Sequence, residues 1–229
     1  MSLAVHRRPG YTLAVASSTT KQAARWRRYW DRHSRSYDRQ MGFWDRRLFG
    51  DSRVWVCGQA SGDVLEVAIG SGLNLPYYPP GIRLVGVDIS PPMLAIARRR
   101  AAEHSLQADL REGDAHQLAL PDASFDTVVC TFSLCAIPDE RQAVAEMTRL
   151  LRPGGLLLLA DHVAGRSRPV RALQRGLELI SVPVGGEHFL RRPLNTARSA
   201  GLDIERQERF GPAGIVERLA ARKPAHQPR

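Results

Sequence analysis

The chain has 229 residues, of which 43% are hydrophobic, and it carries a formal net charge of +10. This length and apolar content predict one domain with one good core. The longest apolar runs, such as residues 156–160, have only the length of a strand, and residues 1–9 lack the apolar core of a secretory signal. We therefore expect no membrane-spanning helix and a cytoplasmic location.

The cysteines and the charge distribution exclude fewer classes of function than the length and the hydropathy do. Cys57, Cys130 and Cys135 form neither an even disulfide set nor a metal-binding spacing with a histidine pair, so we expect reduced, mostly buried thiols and no metal. Residues 1–53 carry a net charge of +8, residues 54–159 carry −4 and residues 160–229 carry +6. Basic flanks suit an anionic partner such as phospholipid headgroups or nucleic acid, and they equally suit an arginine-rich proteome.

The N-terminal part of the chain predicts a loose leader over residues 1–20 and a helical lid segment over residues 21–58. Aromatic and apolar residues in this segment recur at intervals of four, three, four and four, which places them on one face of a basic amphipathic helix: Trp26, Trp30, His33, Tyr37 and Met41. Three interpretations stay open, namely packing of this face on the core, a lid over a ligand pocket, and an interfacial membrane helix.

The stretch from Asp63 to Gly72 predicts a central strand that ends in a glycine turn. Its apolar, β-branched residues are typical of a parallel strand covered on both faces, and Gly70 and Gly72 let a ligand approach the main chain. A dinucleotide fingerprint would require a further glycine where Leu75 stands, so the NAD pattern is absent.

A second apolar strand, residues 83–89, carries Asp88 at its end, 22 residues after Glu66. An acidic residue at this place can accept hydrogen bonds from both ribose hydroxyls of a nucleoside ligand. The alternative is an acid at a helix N-terminus, because Ser90-Pro91-Pro92 follows and proline suits the first turn.

The remaining pattern alternates helices and strands, after a turn-rich segment at residues 73–80 where the helix is expected to be short or bent. The predicted elements are helix 93–101, strand 107–112, strand 125–132, helix 139–151, strand 156–160, helix 169–182, helix 195–200 and a closing strand pair at 204–210 and 215–222.

The pattern Glu66-x-Ala68-x-Gly70-x-Gly72 resembles motif I of the class I S-adenosylmethionine-dependent methyltransferases, with Ala68 where the family usually has its first glycine. The junction at residues 150–156 also resembles this family, and the matches together cover about residues 62–163. The resemblance implies an α/β fold with a Rossmann-like sheet, helices on both faces and a C-terminal antiparallel edge hairpin. It would occupy residues 59–223, followed by a tail at 224–229.

The resemblance further implies S-adenosyl-L-methionine as cofactor. It assigns Asp114 to the adenine amino group and the backbone amide of Ala115 to a ring nitrogen. The predicted cofactor-binding residues are Glu66, Ala68, Gly70, Gly72, Asp88, Ile89, Met93, Asp114, Ala115 and Thr131.

A sulfonium methyl group is already electrophilic, so the protein has mainly to align a nucleophile and exclude water. A general base is needed only for a nucleophile that arrives protonated. His162, at the end of the fifth strand, is the candidate catalytic residue, and the alternative is that it caps a loop or packs in place. Tyr37, Cys135 and His188 are predicted on the substrate or lid side.

Methylation of amino groups in DNA or protein is not favoured, because Thr131-Phe-Ser-Leu134 stands where that class carries Asn/Asp-Pro-Pro-Tyr. Residues 134–137 and 161–164 are similar to the thiol and phospholipid members of the small-molecule branch, which also includes quinone C-methyltransferases. We expect transfer to a small, lipophilic acceptor, with no nucleic-acid partner; peripheral membrane contact and the oligomeric state stay open. The alternative is an inactive fold that binds nucleic acid, a membrane or a protein through its basic flanks.

Overall fold

A computed structural model describes residues 21–225, with side chains from residue 24, so the predicted leader and most of the predicted tail lie outside it. The strands are β1 (Asp63–Val67), β2 (Arg83–Asp88), β3 (Ala108–Glu112), β4 (Phe125–Thr131), β5 (Leu151–His162), β6 (Asp203–Phe210) and β7 (Val216–Arg222). The α-helices are α1 (Lys21–Trp44), α2 (Ser52–Cys57), α3 (Pro91–Glu103), α4 (Glu140–Leu150), α5 (Arg168–Gly185) and α6 (Pro193–Ser199).

The seven strands form one sheet in the order β3-β2-β1-β4-β5-β7-β6. Strands β1 to β5 pair in parallel, whereas β7 is antiparallel to both β5 and β6. The predicted Rossmann-like sheet with a C-terminal antiparallel edge hairpin is therefore confirmed. The strand order reverses at β1, which places the ligand crevice of such a sheet beyond the carboxyl ends of β1 and β4.

Two hydrophobic cores cover the two faces of the sheet, because side chains alternate along each strand. Leu65 and Val67 of β1 join the core formed with α4 and α6. Val64 joins the opposite core, formed with α2 and α3. Both faces of β1 are thus buried, which explains the continuous apolar run in its sequence.

The helices begin where the sequence offers a cap. Ser90 accepts a hydrogen bond from the amide of Met93, and two prolines follow in the first turn of α3. Asp139 likewise accepts from the amide of Gln142 at 3.0 Å and caps the N-terminus of α4.

The predicted start of the fifth strand was wrong. Strand β5 begins at Leu151, directly after α4, and not at Leu156. Its pairing with β4 moves from Leu151 opposite Phe125 to Leu156 opposite Thr127, so residues 152–155 form a bulge instead of a free loop. The turn-rich segment after β1 has only a short 3₁₀ turn, Leu75–Tyr77, as its prolines predict.

Candidate active site

One cavity of about 330 Å³ lies at the carboxyl ends of the parallel strands, under helix α1. This volume falls within the range of small-molecule sites, about 300–1,000 Å³. Eight of the predicted site residues line it: Tyr37, Ala68, Gly70, Asp88, Ile89, Met93, Asp114 and Ala115. Six do not line it: Glu66, Gly72, Thr131, Cys135, His162 and His188.

The turn after β1 brings main chain directly to the cavity. Ala68 and Gly70 both have positive φ angles, +55° and +57°, so the chain turns sharply through the left-handed region. A Cβ atom added to Gly70 would lie 3.8 Å from Cε1 of Tyr37. This is an ordinary van der Waals distance, so Tyr37 of α1 borders the space next to Gly70 without filling it.

Gly72 serves packing and not the cavity. A Cβ atom on this residue would lie 2.6 Å from Cδ1 of Leu75 and 3.2 Å from the backbone of Ala97 in α3. Its φ of +79° would also strain any other residue. Gly72 therefore allows a close approach between the turn and α3, and the predicted cofactor contact at this residue stays a prediction.

Asp88 lies at the end of β2 and faces the cavity. Its Oδ2 accepts a hydrogen bond from the amide of Gly70 at 2.8 Å, and its Oδ1 accepts from the amide of Ser90 at 2.9 Å. Burial raises the pKa of this carboxyl to about 6, although the two amides oppose the shift, and nearby Asp31 adds to it. The carboxylate is held in place yet keeps lone pairs for a ligand.

Asp114 is oriented by the histidine that follows it. The Nδ1 atom of His116 lies 2.6 Å from Oδ1 of Asp114, and Nε2 of the same ring accepts from the amide of Asp139 at 3.1 Å. Because Nε2 accepts, Nδ1 carries the proton and donates it to the aspartate. The imidazole thus connects the loop after β3 to the start of α4, and both His116 and Asp139 line the cavity.

Helix α1 closes the cavity from above. Trp26, Trp30 and Tyr37 line the cavity, and Trp26 is only 8% exposed. The face of α1 that carries Trp26, Trp30 and Tyr37 therefore points toward the cavity, whereas Phe43 and Trp44 at the end of the helix are 47% and 46% exposed. Burial raises the pKa of the Tyr37 hydroxyl above its ordinary value, so this group is neutral at physiological pH.

Polar contacts fasten α1 over the opening. The hydroxyl of Ser90 donates to Oδ1 of Asp31 at 2.6 Å, and Arg27 forms an ion pair with Glu112 at 2.6 Å. Asp38 accepts hydrogen bonds from both Ser71 and Arg100. Helix α1 is thus bound to residues at or just beyond the carboxyl ends of β1, β2 and β3.

Glu66 points away from the cavity, into a buried polar network. Its two carboxylate oxygens accept hydrogen bonds from Asn74 and from the hydroxyl of Tyr78, each at 2.8 Å. Burial raises its pKa to about 7, opposed by these two hydrogen bonds. Thr131 belongs to the same network, because its hydroxyl accepts from Asn74 at 2.9 Å. Neither residue lines the cavity, and their predicted contacts with a cofactor stay predictions.

Arg53 of α2 joins this network to the cavity wall. It donates to Asn74 at 2.9 Å and to Thr131 at 3.3 Å, and it forms an ion pair with Asp45 at 3.2 Å. Its Cζ lies 5.0 Å from the ring centre of Phe132, a cavity residue. The Nη2 atom is buried and has no hydrogen-bond partner, which marks a donor that a bound anion would satisfy.

The predicted catalytic histidine lies beside the cavity and not in its wall. The ring of His162 packs on Phe189 with 4.9 Å between centroids, and its Nδ1 is buried without a hydrogen-bond partner. Its neighbour Asp161 accepts from the amides of Cys135 and His162, at 3.0 and 2.8 Å. This arrangement orders the loop after β4.

The substrate-side residues Cys135 and His188 pack around the same loop. The amide of His188 donates to the carbonyl of Cys135 at 2.9 Å. Burial, with Asp161 nearby, raises the pKa of the Cys135 thiol well above its ordinary value, and burial lowers the pKa of His188. One potential ligand atom from each of Cys135, Asp161 and His162 lies within 4.8 Å of the others, a proximity that spacing along the chain did not predict.

Sequence reasoning missed several residues of the wall, among them His116, Gln117, Phe132 and Gln142. Ser133, Ala136, Ile137 and Pro138 belong to the loop after β4, where ligands of open parallel sheets are expected to bind. Arg53 had no such signal, because an arginine in a helical segment is ordinarily exposed.

Known proteins resemble this chain over the same region. A methyltransferase domain family matches residues 65–159. A phosphatidylethanolamine N-methyltransferase from Cereibacter sphaeroides is 35% identical over 156 residues, which cover 67% of this chain and 76% of that protein. The chain is a class I S-adenosylmethionine-dependent methyltransferase. This methyltransferase is also 44% identical over 101 residues to a demethylmenaquinone methyltransferase from Deinococcus radiodurans, and those residues cover 43% of the chain and 42% of the relative.

A human thiol S-methyltransferase is 33% identical to this chain over 133 residues, which cover 56% of this chain and 54% of the relative. This chain therefore spans about half the length of the quinone and thiol relatives. Among solved structures, a putative methyltransferase from Bacillus halodurans has a TM-score of 0.67 at 20% identity and covers 76% of this chain and 100% of that chain. A [4+2]-cyclase, SpnF, has a TM-score of 0.64 at 21% identity, covering 77% and 80%. These two likenesses show the fold alone.

The cavity of the methyltransferase fits S-adenosylmethionine on three observations. The turn at Gly70 leaves room where a Cβ atom would stand. The carboxylate of Asp88 faces the cavity with its orientation fixed by two amides. The orphaned Nη2 of Arg53 supplies a buried cationic donor beside the wall. Among residues 21–225, no helix is both long and apolar enough to cross a bilayer.

Proposed function

We propose that this methyltransferase transfers the methyl group of S-adenosylmethionine directly to a small, lipophilic acceptor, and that a phospholipid amine is the first candidate. The observation that carries the proposal is the character of the cavity. Its lining combines polar groups that suit a nucleoside, Asp88 and Asp114, with the aromatic side chains of Trp26, Trp30 and Phe132. The phosphatidylethanolamine N-methyltransferase supports the choice of acceptor, since this chain covers most of that relative.

Four residues of the chain would hold the cofactor. Asp88 would accept the ribose hydroxyls, and Asp114, oriented by His116, would accept the adenine amino group. The Nη2 atom of Arg53 would donate to the carboxylate of the methionine moiety, because a charged donor that is buried without a partner is otherwise costly. Gly70 would allow the close approach.

When bound, the cofactor supplies an electrophilic methyl group that needs no further activation by the protein. The chain's own residues therefore have to align the acceptor and exclude water. Helix α1 does the second, since Trp26, Trp30 and Tyr37 close the cavity. As part of the proposal, residues 21–58 form this lid segment and residues 59–223 form the methyltransferase domain.

His162 is retained as the candidate base for an acceptor that arrives protonated. An ethanolamine headgroup is such an acceptor, because its ammonium group has no lone pair until a proton leaves. The buried Nδ1 of His162 has no partner and is free to take part in this transfer. Phe189, which packs on the ring, would have to move for the acceptor to reach it.

The test has two stages. Calorimetric titration with S-adenosylmethionine and S-adenosylhomocysteine should show micromolar binding. Transfer of a tritiated methyl group should then be measured with phosphatidylethanolamine vesicles, a demethylquinone and an alkyl thiol as acceptors. We expect label in the phospholipid. Label only in the quinone or the thiol would overturn the choice of acceptor, and no cofactor binding by a folded sample would overturn the proposal itself.

A further inference from the structure

Helix α5 has the reverse orientation of an ordinary surface helix, because its polar side chains bind the protein and its apolar side chains face outward. Gln174 is 6% exposed; its amide nitrogen donates to the carbonyl of Val163 at 2.9 Å, and its oxygen accepts from the amide of Gly165 at 2.8 Å. Glu178 accepts from the amide of Leu190, and Ser181 donates to the carbonyl of Glu187, each at 2.8 Å. These hydrogen bonds fix which side of α5 meets the protein.

Another side of α5 is a continuous, exposed apolar surface. Leu173, Leu177, Ile180 and Val184 follow one another at intervals of four, three and four, and they are 65%, 47%, 70% and 63% exposed. We call these four residues the apolar stripe. Leu179, 76% exposed, lies beside it. A surface helix normally buries such a stripe, so an uncovered one marks a binding surface.

Rotating α5 to bury the apolar stripe would break the hydrogen bonds of Gln174, Glu178 and Ser181. It would also leave four backbone groups without their partners, each of which is costly when buried: the amides of Gly165 and Leu190 and the carbonyls of Val163 and Glu187. The orientation is therefore a stable property of the fold, and an apolar partner has to come to the helix.

Charge identifies the partner. Helix α1 carries seven basic and two acidic residues, and α5 carries three and one, so these two helices hold +7 of the net charge of +10. Arg168 and Arg175 of α5 and Arg25 and Arg28 of α1 are exposed. Of the nearby acids, Glu178 is partly buried in its hydrogen bond and Glu187 is half-buried. The exposed arginines of α1 and α5 make this part of the molecule positively charged, which is complementary to anionic headgroups above acyl chains.

The C-terminal end of α5 adjoins the lid. Arg25 of α1 donates a hydrogen bond to the carbonyl of Pro183. A Cβ atom on Gly185 would lie 2.7 Å from the hydroxyl of Tyr29, and one on Gly186 would lie 2.6 Å from the ring of Trp26. Trp26 lines the cavity, so the apolar stripe ends next to the cavity wall.

From these observations we infer that α5 lies in the interface of an anionic phospholipid bilayer with its apolar stripe among the acyl chains. Its 18 residues span about 27 Å and lie along the membrane plane, since three arginines and a glutamate exclude a spanning orientation. The inference rests on the proposed function and deepens it, because a lipophilic acceptor would then pass from the bilayer to the cavity beside Trp26.

The test is flotation of the full chain with two kinds of vesicle. One contains phosphatidylcholine alone, and the other is a mixture of phosphatidylcholine and phosphatidylglycerol. The variant pair Leu177→Asn and Ile180→Asn removes the centre of the apolar stripe, and Val54→Asn, 53% exposed on α2, is the matched control. All three residues are exposed, so folding should be unaffected, which circular dichroism would check. We expect the native chain and the control to bind anionic vesicles and the pair to lose about tenfold or more in partitioning.

Equal vesicle binding by the native chain and the double variant would overturn the inference. Equal binding of the native chain to vesicles with and without phosphatidylglycerol would overturn it too. Sedimentation that finds a dimer of the native chain, and a monomer of the double variant, would assign the apolar stripe to a second copy and overturn it as well. Calorimetry with S-adenosylhomocysteine separates this result from the proposed function. If the cofactor product binds but the vesicles do not, only the membrane inference falls.

Discussion

Ser71, inside the glycine turn, donates its hydroxyl proton to Oδ1 of Asp38 on the lid helix across 2.5 Å. Arg100 of α3 completes the arrangement, because it donates to Oδ2 of Asp38 at 2.6 Å and to the carbonyl of Ser71 at 2.5 Å. The turn that borders the cavity and the helix that covers it are thus held by the same three side chains. Loosening the lid should therefore change how long a ligand stays bound.

Asp38→Asn should speed the release of S-adenosylhomocysteine. The substitution removes the charge that Arg100 and Ser71 bind. Because Asp38 is 39% exposed, we discount the hydrogen bonds to about 1 kcal/mol, which corresponds to roughly fivefold faster dissociation. Stopped-flow displacement measures this rate. Asp122→Asn, an exposed acid paired with Arg149 outside the cavity wall, is the control, and an equal effect in both variants would count against the lid.

Binding of S-adenosylhomocysteine should strengthen as the pH rises from 5 to 7.5. Burial raises the pKa of Asp88 to about 6, and the ionised carboxylate is the better acceptor for two hydroxyl donors. Below this pKa the affinity should fall by up to about tenfold per pH unit, since binding then requires loss of a proton. Calorimetry across this range should show the trend in the native chain and a much flatter one in Asp88→Asn.

Arg53→Met should weaken binding of S-adenosylhomocysteine and leave binding of methylthioadenosine unchanged. The second ligand keeps the nucleoside but lacks the amino-acid carboxylate that Nη2 would bind. Loss of a charged hydrogen bond, about 1.5–3 kcal/mol, corresponds to roughly ten- to 150-fold. The ratio of the two dissociation constants is an internal control for damage to the fold. A parallel loss for both ligands would assign Arg53 to structure alone.

Glu66→Gln should flatten the decline of stability between pH 5 and pH 8. The pKa of Glu66 is raised by burial to about 7, above its unfolded value, so the folded state binds the extra proton. The resulting stabilisation is complete below the unfolded pKa and is lost as the pH rises through about 7, on the order of 2–3 kcal/mol. Urea unfolding at several pH values without ligand measures it. A difference between the two chains that stays constant with pH would contradict this account.

Ala68→Gly should preserve or raise stability, although glycine usually destabilises. Ala68 has a φ of +55°, a region that costs a residue with a Cβ atom about 1–2 kcal/mol. Glycine removes this strain, and its greater freedom in the unfolded chain offsets part of the gain. Thermal unfolding should show an unchanged or higher midpoint. Ala97→Gly, inside α3 and fully buried, should lower the midpoint and serves as the contrast.

The central parallel strands were predictable because both of their faces are buried, which leaves uninterrupted apolar runs, whereas their arrangement in one sheet was implied by the resemblance to the family. Asp88 and the turn at Gly70 were predictable for a related reason, since the ends of such strands meet at one edge of the sheet. The helix α4 could be placed to within one residue at each end because Asp139 is a capping residue that directly precedes an amphipathic pattern.

The orientation of individual side chains was harder to predict. Glu66 stands between Leu65 and Val67, which belong to one core, so alternation alone turns it to the other face and toward Asn74. Arg53 donates hydrogen bonds to Asn74 and Thr131, which lie 21 and 78 residues further along the chain. No local pattern encodes such contacts. The alternation signal was available for Glu66, whereas the role of Arg53 required the folded chain.

The segment that matches the methyltransferase family begins at residue 65, whereas Trp26, Trp30 and Tyr37 of the cavity wall precede it. These three aromatic side chains of the wall therefore lie outside the segment that the family shares. Under the proposed function they can vary with the acceptor while the strands and their glycine turn stay unchanged. Exchanging residues 21–58 between relatives is accordingly a direct route to engineered selectivity.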